Sequence, residues 1–428
     1  MTKVLVLSYF FPPCSLTASN RVFGIVSNMH RFGLYPVVIT RHWDKKSTGQ
    51  EDLLKSTKKT IEHVYYDGYE VYYIPYRSSL RDRLLLHSDK IKFFRVLSKI
   101  LTLIYLILEP FTNLVVPFSN IYSFSKKYLG ENKDIKFVLV SGNPFVLFKF
   151  GYKLKKKFSI NWIADYRDSW TTNRFAMGVR GFNKYLYKLY RLYEKKWVNT
   201  AAFFTSVSDH YVYQIQGIVT SPGYTIYNGF IHRKYCKEFS DSDSFNILYS
   251  GTLYYNQPIE EFLHFLAENK FFIQDTQVHL YFAGLGFDKK QTKRVIDLVK
   301  GYEKQVHILP WDTQEAYNQI QIQMDLLLLF PYQGFKGIPT SKLFDYVSTA
   351  KNILLYKSDA DVMASILQDS GLGFVAHDTE DVFAYISTLI KHKHTNKSFL
   401  TVDEEKIETY SILRQTKILS QLIKKEML

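Results

Sequence analysis

The feature that most constrains this chain is a repeat of short, unbroken apolar runs that alternate with helical stretches. VLVLSYF (4–10), YPVVIT (35–40), EVYYIPY (70–76), FVLVSG (137–142) and INWIADY (160–166) form a first set. A strand whose apolar residues are not relieved by alternating polar ones must be covered on both faces. Such strands belong to parallel sheets flanked by helices. The pattern restarts at FNILYSG (245–251) and runs on through VHLYFAG (278–284), VHILPW (306–311), DLLLLFP (325–331), NILLY (352–356) and a short run at 373–376. Helical spacing fills the intervals near 18–32 and at 258–270, 288–301, 313–323, 340–350 and 359–369. Two doubly wound α/β units are therefore expected. A chain of 428 residues is also too long for one ordinary core. The connection is expected within 217–244, where Gly217, Pro222, Gly223, Gly229 and the polar run SDSDS (240–244) interrupt both patterns.

Charge narrows the partners. A net charge of +15 suits nucleic acid, an anionic membrane face or phosphorylated substrates. Nucleic acid is set aside: the lysines are scattered, and neither metal-finger spacing nor a ribonucleoprotein signature is present. Two cysteines, Cys14 and Cys236, cannot build a disulfide framework or a Cys-rich metal site. The N-terminus runs directly into the first strand, so no signal peptide is expected and a cytoplasmic location is the default.

The stretch 90–123 stands apart. Lys92, Arg95 and Lys99 lie at helical spacing before ILTLIYLIL (100–108), and Glu109-Pro110 then interrupt the run. That run is far shorter than the roughly 20 residues of a membrane span. Two alternatives stay open: a buried helix, or a basic, aromatic segment lying on an anionic membrane surface.

Four loops carry candidate chemistry. In an open α/β sheet, loops at the carboxyl ends of strands face the ligand crevice. The first loop places the hydroxyls of Ser15, Thr17 and Ser19 ahead of Arg21, which could pair with a phosphate or carboxylate. It holds no glycine, so it lacks the dinucleotide fingerprint, which argues against a dehydrogenase. The second loop, Asp165-Tyr166-Arg167-Asp168-Ser169-Trp170, flanks an arginine with two carboxylates. Such a cluster can hold a sugar hydroxyl, orient an acceptor or act as a base, and it can equally be a structural ion-pair cluster. The third closes a strand with Gly251 and Thr252. The fourth runs from Gly337 through Pro339, Thr340, Ser341, Lys342 and Asp345. There Thr340 or Ser341 suits a helix cap, and Lys342 suits a diphosphate.

In this order, KVLVLSYFFPP, VLVSGNPF, IADYRDSW, YSGTLYYN and GIPTSKLFDYVSTAKNILLY resemble the family 4-like glycosyltransferases (glycosyltransferase group 1) of GT-B fold. The resemblance covers about residues 3–376 and is nearest to the bacterial surface-polysaccharide type. It implies an α/β GT-B fold, two Rossmann-like doubly wound domains facing a cleft. An N-terminal acceptor-binding domain would span 1–220 and a C-terminal nucleotide-sugar domain 221–405, with a helix at 406–428 crossing back to the first. It implies retaining transfer from a nucleoside-diphosphate sugar to a glycan or lipid-linked acceptor of lipopolysaccharide or capsule. No metal or cofactor is implied. A cytoplasmic location is expected, peripheral to the inner face of the cell membrane if 90–123 is the surface segment rather than the buried helix.

By motif position, Lys342 would meet the diphosphate and Asp345 the ribose. Gly251, Thr252, Pro339, Thr340 and Ser341 would line the donor. Ser15, Thr17, Ser19, Arg21 and Asn143 would line the acceptor, and Asp165, Arg167 and Asp168 would be catalytic. The chain departs from the family at several points. Gly337 and Asp345 stand where many relatives carry two glutamates. TLYYNQP lacks the usual Arg and Lys, the first loop lacks its glycine pair, and Asp165 takes the place of the usual histidine. These departures keep two alternatives in view: a non-catalytic sugar-nucleotide or glycan-binding subunit of a transferase complex, and a sugar-nucleotide epimerase on the same fold.

Overall fold

The computed structural model describes residues 1–44, 50–55, 58–87, 92–172, 183–234, 237–310 and 314–427. The chain forms two compact units, Met1–Tyr227 with Gln415–Leu428, and Asn228–Arg414.

The first unit is built on eight strands: β1 (Thr2–Leu7), β2 (Leu34–Arg41), β3 (Glu62–Tyr66), β4 (Tyr69–Ile74), β5 (Phe137–Gly142), β6 (Asn161–Tyr166), β7 (Phe203–Ser206) and β8 (Gly223–Thr225). Their order is β3-β4-β2-β1-β5-β6-β7-β8. All pairs are parallel except the β3–β4 hairpin, which turns at Asp67-Gly68. Val6 lies opposite Val38 on one side and Leu139 on the other. Val4 to Leu7 and Val37 to Ile39 are wholly buried, as the unbroken apolar runs require. The helices Val146–Phe158 and Asn183–Val198 add Phe148, Leu154 and Trp197 to this core.

The second unit holds β9 (Phe245–Ser250), β10 (Phe272–Ile273), β11 (Thr276–Ala283), β12 (Val306–Leu309), β13 (Leu326–Leu329), β14 (Asn352–Tyr356) and β15 (Gly373–Ala376). The order is β10-β11-β9-β13-β14-β15, with β12 also on β11. In both units the chain starts at a central strand, builds outward on one side, and then returns to the other side. The reversal falls between β1 and β5 in the first unit and between β9 and β13 in the second. Ligands of open α/β sheets bind at such switch points, beyond the carboxyl ends of the strands.

The structure corrects the sequence reading in three places. β3, β7, β8 and β10 were not anticipated; three of them have four residues or fewer, too few to show a period. The single helix expected at 406–428 is two helices, Glu404–Thr409 and Ile412–Lys425. The break is made by distant backbone: Phe230 N–H donates to Tyr410 O at 3.1 Å, and Ile412 N–H donates to Phe230 O at 2.8 Å. Gly229 permits this approach. Its φ is +66°, and a Cβ there would lie 2.8 Å from the Ile412 nitrogen. Beyond the break, Gln415 Oε1 accepts the Tyr227 N–H at 2.9 Å within the first unit. The third correction concerns 90–123. Its helix, Lys92–Leu108, buries only Ser98, so the buried-helix alternative fails. No helix among the described residues is long and apolar enough to cross a membrane. Cys14 is a buried free thiol, whereas Cys236 lies outside the described residues.

Candidate functional site

In the first unit, the DYRDSW motif begins at the end of β6, where Asp165 and Tyr166 are both buried. Asp165 is only 1% exposed. Its carboxylate accepts from Arg21 Nη2 at 2.7 Å and Nε at 3.1 Å, from Thr205 Oγ1 at 2.8 Å and from Ser141 Oγ at 2.8 Å. Arg21 uses its third nitrogen on Ile226 O at 2.8 Å. Burial pushes the Asp165 carboxyl up, but the Arg21 charge and the bonds from Arg21, Thr205 and Ser141 outweigh it and hold the pKa below the ordinary value. Arg21 and Asp165 therefore satisfy each other and tie the first helix to the ends of β5, β6 and β7. Neither is presented to a substrate, which revises the expectation of Asp165 as a catalytic carboxylate and of Arg21 as an acceptor contact.

Tyr166 also points inward. Its hydroxyl donates to Glu194 at 3.0 Å, beside the Thr171 hydroxyl. Burial raises the Glu194 carboxyl to about 7, against the lowering effect of those two hydrogen bonds. Trp170 stacks on Phe145 with centroids 5.0 Å apart. What the motif leaves open is the pair Arg167–Asp168, joined at 2.7 Å, with the Asp168 side chain 54% exposed. The Arg167 guanidinium sits 5.5 Å from the centroid of Phe10, in the first loop. Ser15, Thr17 and Asn143 are exposed, whereas Ser19 is buried and donates to Leu16 O and Cys14 O.

In the second unit, the strand-end residues converge more tightly. Gly251 follows β9 at φ +77° and donates its N–H to Ala283 O at the end of β11. A Cβ at this position would stand 3.0 Å from Lys342 Cε, so only glycine lets the lysine cross here without strain. Lys342 comes from the helix Ser341–Val347, which follows β13. It is half-buried as a residue, but its ammonium is tucked inside, 4.0 Å from the centroid of the Tyr249 ring. The ammonium donates to Tyr249 Oη at 2.6 Å and to Thr252 O at 2.9 Å. Burial pushes its pKa down to about 7. Among the described residues no carboxylate lies within ion-pair distance of it.

One helical turn on, Tyr346 binds Ser250 N at 3.0 Å and Ser250 Oγ at 2.9 Å. Lys342 and Tyr346, four apart on one helix face, thus both reach the end of β9. Asp345 accepts from Lys234 at 2.5 Å and Gln321 at 2.7 Å. Thr340 occupies the N-cap position, but its hydroxyl makes no cap bond and is buried without a partner. Pro339 is buried and Ser341 exposed. Arg294, which sequence reasoning missed, grips the loop after Gly251 through Tyr254 O at 3.0 Å and Gln257 O at 3.1 Å. Tyr249 and Tyr254 were also missed; a tyrosine in or beside a strand carries no sign of what it will support. Among the described residues, no three His, Cys, Asp or Glu side chains cluster so as to hold a metal ion.

No protein-family model and no curated protein matches the chain. Solved structures do resemble it. Sucrose-phosphate synthase from Thermosynechococcus elongatus superposes with a TM-score of 0.63 at 11% identity, over 100% of this chain and 99% of that one. Anabaena HepE in complex with UDP gives 0.59 at 10%, over 99% and 100%. The lipopolysaccharide outer core galactosyltransferase WaaB gives 0.53 at 13%, over 98% and 99%. At such identities the likeness establishes the fold, and it extends over essentially the whole chain.

Proposed function

We propose that this chain of GT-B fold is a glycosyltransferase. In this reading it moves a sugar from a nucleoside-diphosphate sugar to a glycan or lipid-linked acceptor of bacterial surface polysaccharide, on the cytoplasmic side of the membrane. The observation that carries it is Lys342: an ammonium drawn inside at the switch point of the second sheet, with no carboxylate within ion-pair distance among the described residues and a glycine backbone beside it. Burial of an unpaired charge is costly. A bound diphosphate would offset that cost, and Gly251 leaves room for it to approach the backbone. The UDP complex of HepE and the lipopolysaccharide role in the name of WaaB support the donor class and the product class.

The reaction breaks the bond between the anomeric carbon and the diphosphate oxygen and forms one to an acceptor hydroxyl oxygen, whose proton is released. Negative charge grows on the leaving diphosphate, and Lys342 stabilises it there. The reading invokes no metal or cofactor. Gly251, Thr252 and Ser341 would flank the phosphates, and Asp345, already holding Lys234 and Gln321, would offer its remaining lone pairs to the ribose. Retention of anomeric configuration is carried over from the family resemblance. On the acceptor side, Asp168 and Arg167 are the members of their motif open to a hydroxyl, with Ser15, Thr17 and Asn143 as exposed polar neighbours in sequence position.

A thermal-shift screen against nucleoside diphosphates and their sugars tests the donor site. Ligand at about 100 times Kd stabilises by roughly 2.7 kcal/mol, so a rise of several degrees is expected with one base. Release of the nucleoside diphosphate should then require an acceptor. Rearrangement of the donor without acceptor would reveal an epimerase, and binding without release would reveal a non-catalytic subunit. Asp168→Asn is expected to lower turnover at least tenfold with donor affinity unchanged. Wild-type turnover in this variant would remove the acidic motif from the mechanism, since Asp165 is already enclosed.

A further inference from the structure

Helix Asn183–Val198 lays one face beneath the DYRDSW motif. Tyr190, Glu194 and Trp197 stand at i, i+4 and i+7 on that face, and all three are buried. Each meets the arc of chain that runs from Tyr166 to Thr171. Tyr190 and Trp197 both pack on Trp170, with ring centroids 5.9 Å away in each case. Glu194 holds the two ends of the arc at once. One of its oxygens accepts from the Tyr166 hydroxyl at 3.0 Å, and the other accepts from the Thr171 hydroxyl. The Thr171 N–H bonds the same carboxylate. Between these ends the backbone is tied by the Arg167 N–H, which donates to Gly142 O at 3.3 Å. With Tyr166, Trp170 and Thr171 turned into the unit, the arc leaves Arg167 and Asp168 unburied.

We infer that Glu194 is a positioning residue: by clamping Tyr166 and Thr171 to one helix, it fixes where the carboxylate of Asp168 stands. The ion pair between Arg167 and Asp168 cannot do this. It joins two neighbours in sequence, and it moves with the turn that carries them. An arc whose two ends are bonded to one buried side chain has little freedom to tilt. Released at one end, it keeps only the Gly142 bond and the packing of Trp170. A displacement of about 1 Å at a reacting group can cost on the order of 10² in rate, so the clamp matters to the chemistry although Glu194 touches no substrate. This rests on the reading of Asp168 as the open acceptor-side carboxylate. That Glu194 holds the arc does not depend on it.

Hydrogen–deuterium exchange and steady-state kinetics on the full chain provide the test. Glu194→Met keeps the volume and removes both acceptors, whereas Thr171→Val keeps the shape and frees one end. Should Glu194→Met fail to fold, Thr171→Val carries the same test. In each, exchange over Arg167–Trp170 is expected to rise about tenfold or more while β5, β6 and β7 keep their protection. Turnover should fall about tenfold with the donor KM unchanged. Glu194→Gln should stay within about threefold of wild type, because its amide can accept from Thr171 and donate to the Tyr166 hydroxyl. In an Asp168→Asn background, Thr171→Val should cost less than about a further twofold, since the carboxylate it would misplace is already gone. A loss of stability alone would add in full. Three results would overturn the proposal: exchange of the arc that stays at the wild-type rate in folded Thr171→Val, a freed arc with wild-type turnover, or a loss that adds fully to that of Asp168→Asn. If the wild-type chain transfers no sugar, the proposed function fails instead, and the exchange measurement still decides whether Glu194 holds the arc.

Discussion

Replacing Asp165 with alanine is expected to destabilise the first unit by about 3–5 kcal/mol, the usual result of removing one partner from a buried ion pair. The size follows from what is left behind. Arg21 is 3% exposed and would keep its charge in the core, with Ser141 and Thr205 stripped of their acceptor. Urea unfolding followed by tryptophan fluorescence is the measurement, because Trp43, Trp162, Trp170 and Trp197 all lie in the first unit. The double variant Arg21→Met/Asp165→Leu should recover much of the loss, since it removes both charges together. A single variant within about 1 kcal/mol of wild type would refute the structural role and return Asp165 to the list of catalytic candidates. The pH dependence has a definite sign. The folded pKa of Asp165 lies below its unfolded value of about 3.9. Its contribution is therefore fully present above that unfolded value and is lost as pH falls through the folded one. Asp165→Ala should flatten this part of the acid-unfolding curve.

The second large effect is expected at Lys342. Lys342→Met should abolish the thermal shift with the donor and lower turnover by about 10²–10³, the range found when a stabilising group at a developing anion is removed. The stability of the free protein should move the other way. Burial holds the Lys342 pKa at about 7, below its ordinary 10.5. The ammonium therefore costs stability in full below about pH 7, and the cost fades as pH rises toward 10.5. Methionine removes it, so the unliganded melting temperature should hold or rise at pH 7. Stability given up at a site that binds is a common trade. Binding a diphosphate favours the charged form, so it should take up a proton, and affinity should fall as pH rises above about 7. Calorimetry in buffers of different ionisation enthalpy measures that uptake. A variant that loses stability and keeps its donor shift would make Lys342 a structural residue.

Much of the architecture could be read from the chain because parallel strands are written locally. A strand covered on both faces needs an unbroken apolar run, and VLVL, FVLV, NIL and LLLL each announced one. The positions of Gly251 and Lys342 were legible for a related reason: they lie in the connections that follow such strands, at the sheet end where an open α/β sheet places its ligands. Their partners were not. Tyr249 is one more apolar residue in a strand, and nothing in the sequence says that its ring will lie under an ammonium 93 positions later.

By itself the sequence determined two doubly wound sheets, their strand ends and the loops that can hold chemistry, because each follows from local period and composition. Tertiary structure decided how those loops divide their labour. Arg21 and Asp165 are 144 residues apart, and only the fold makes them a closed pair, leaving Asp168 as the open carboxylate. The same holds for the break at Tyr410, set by backbone bonds to Phe230, and for the helix Lys92–Leu108. Its apolar composition is compatible with a core or a surface. Which of them it joins depends on how many neighbours the rest of the chain supplies, and here they cover only one face.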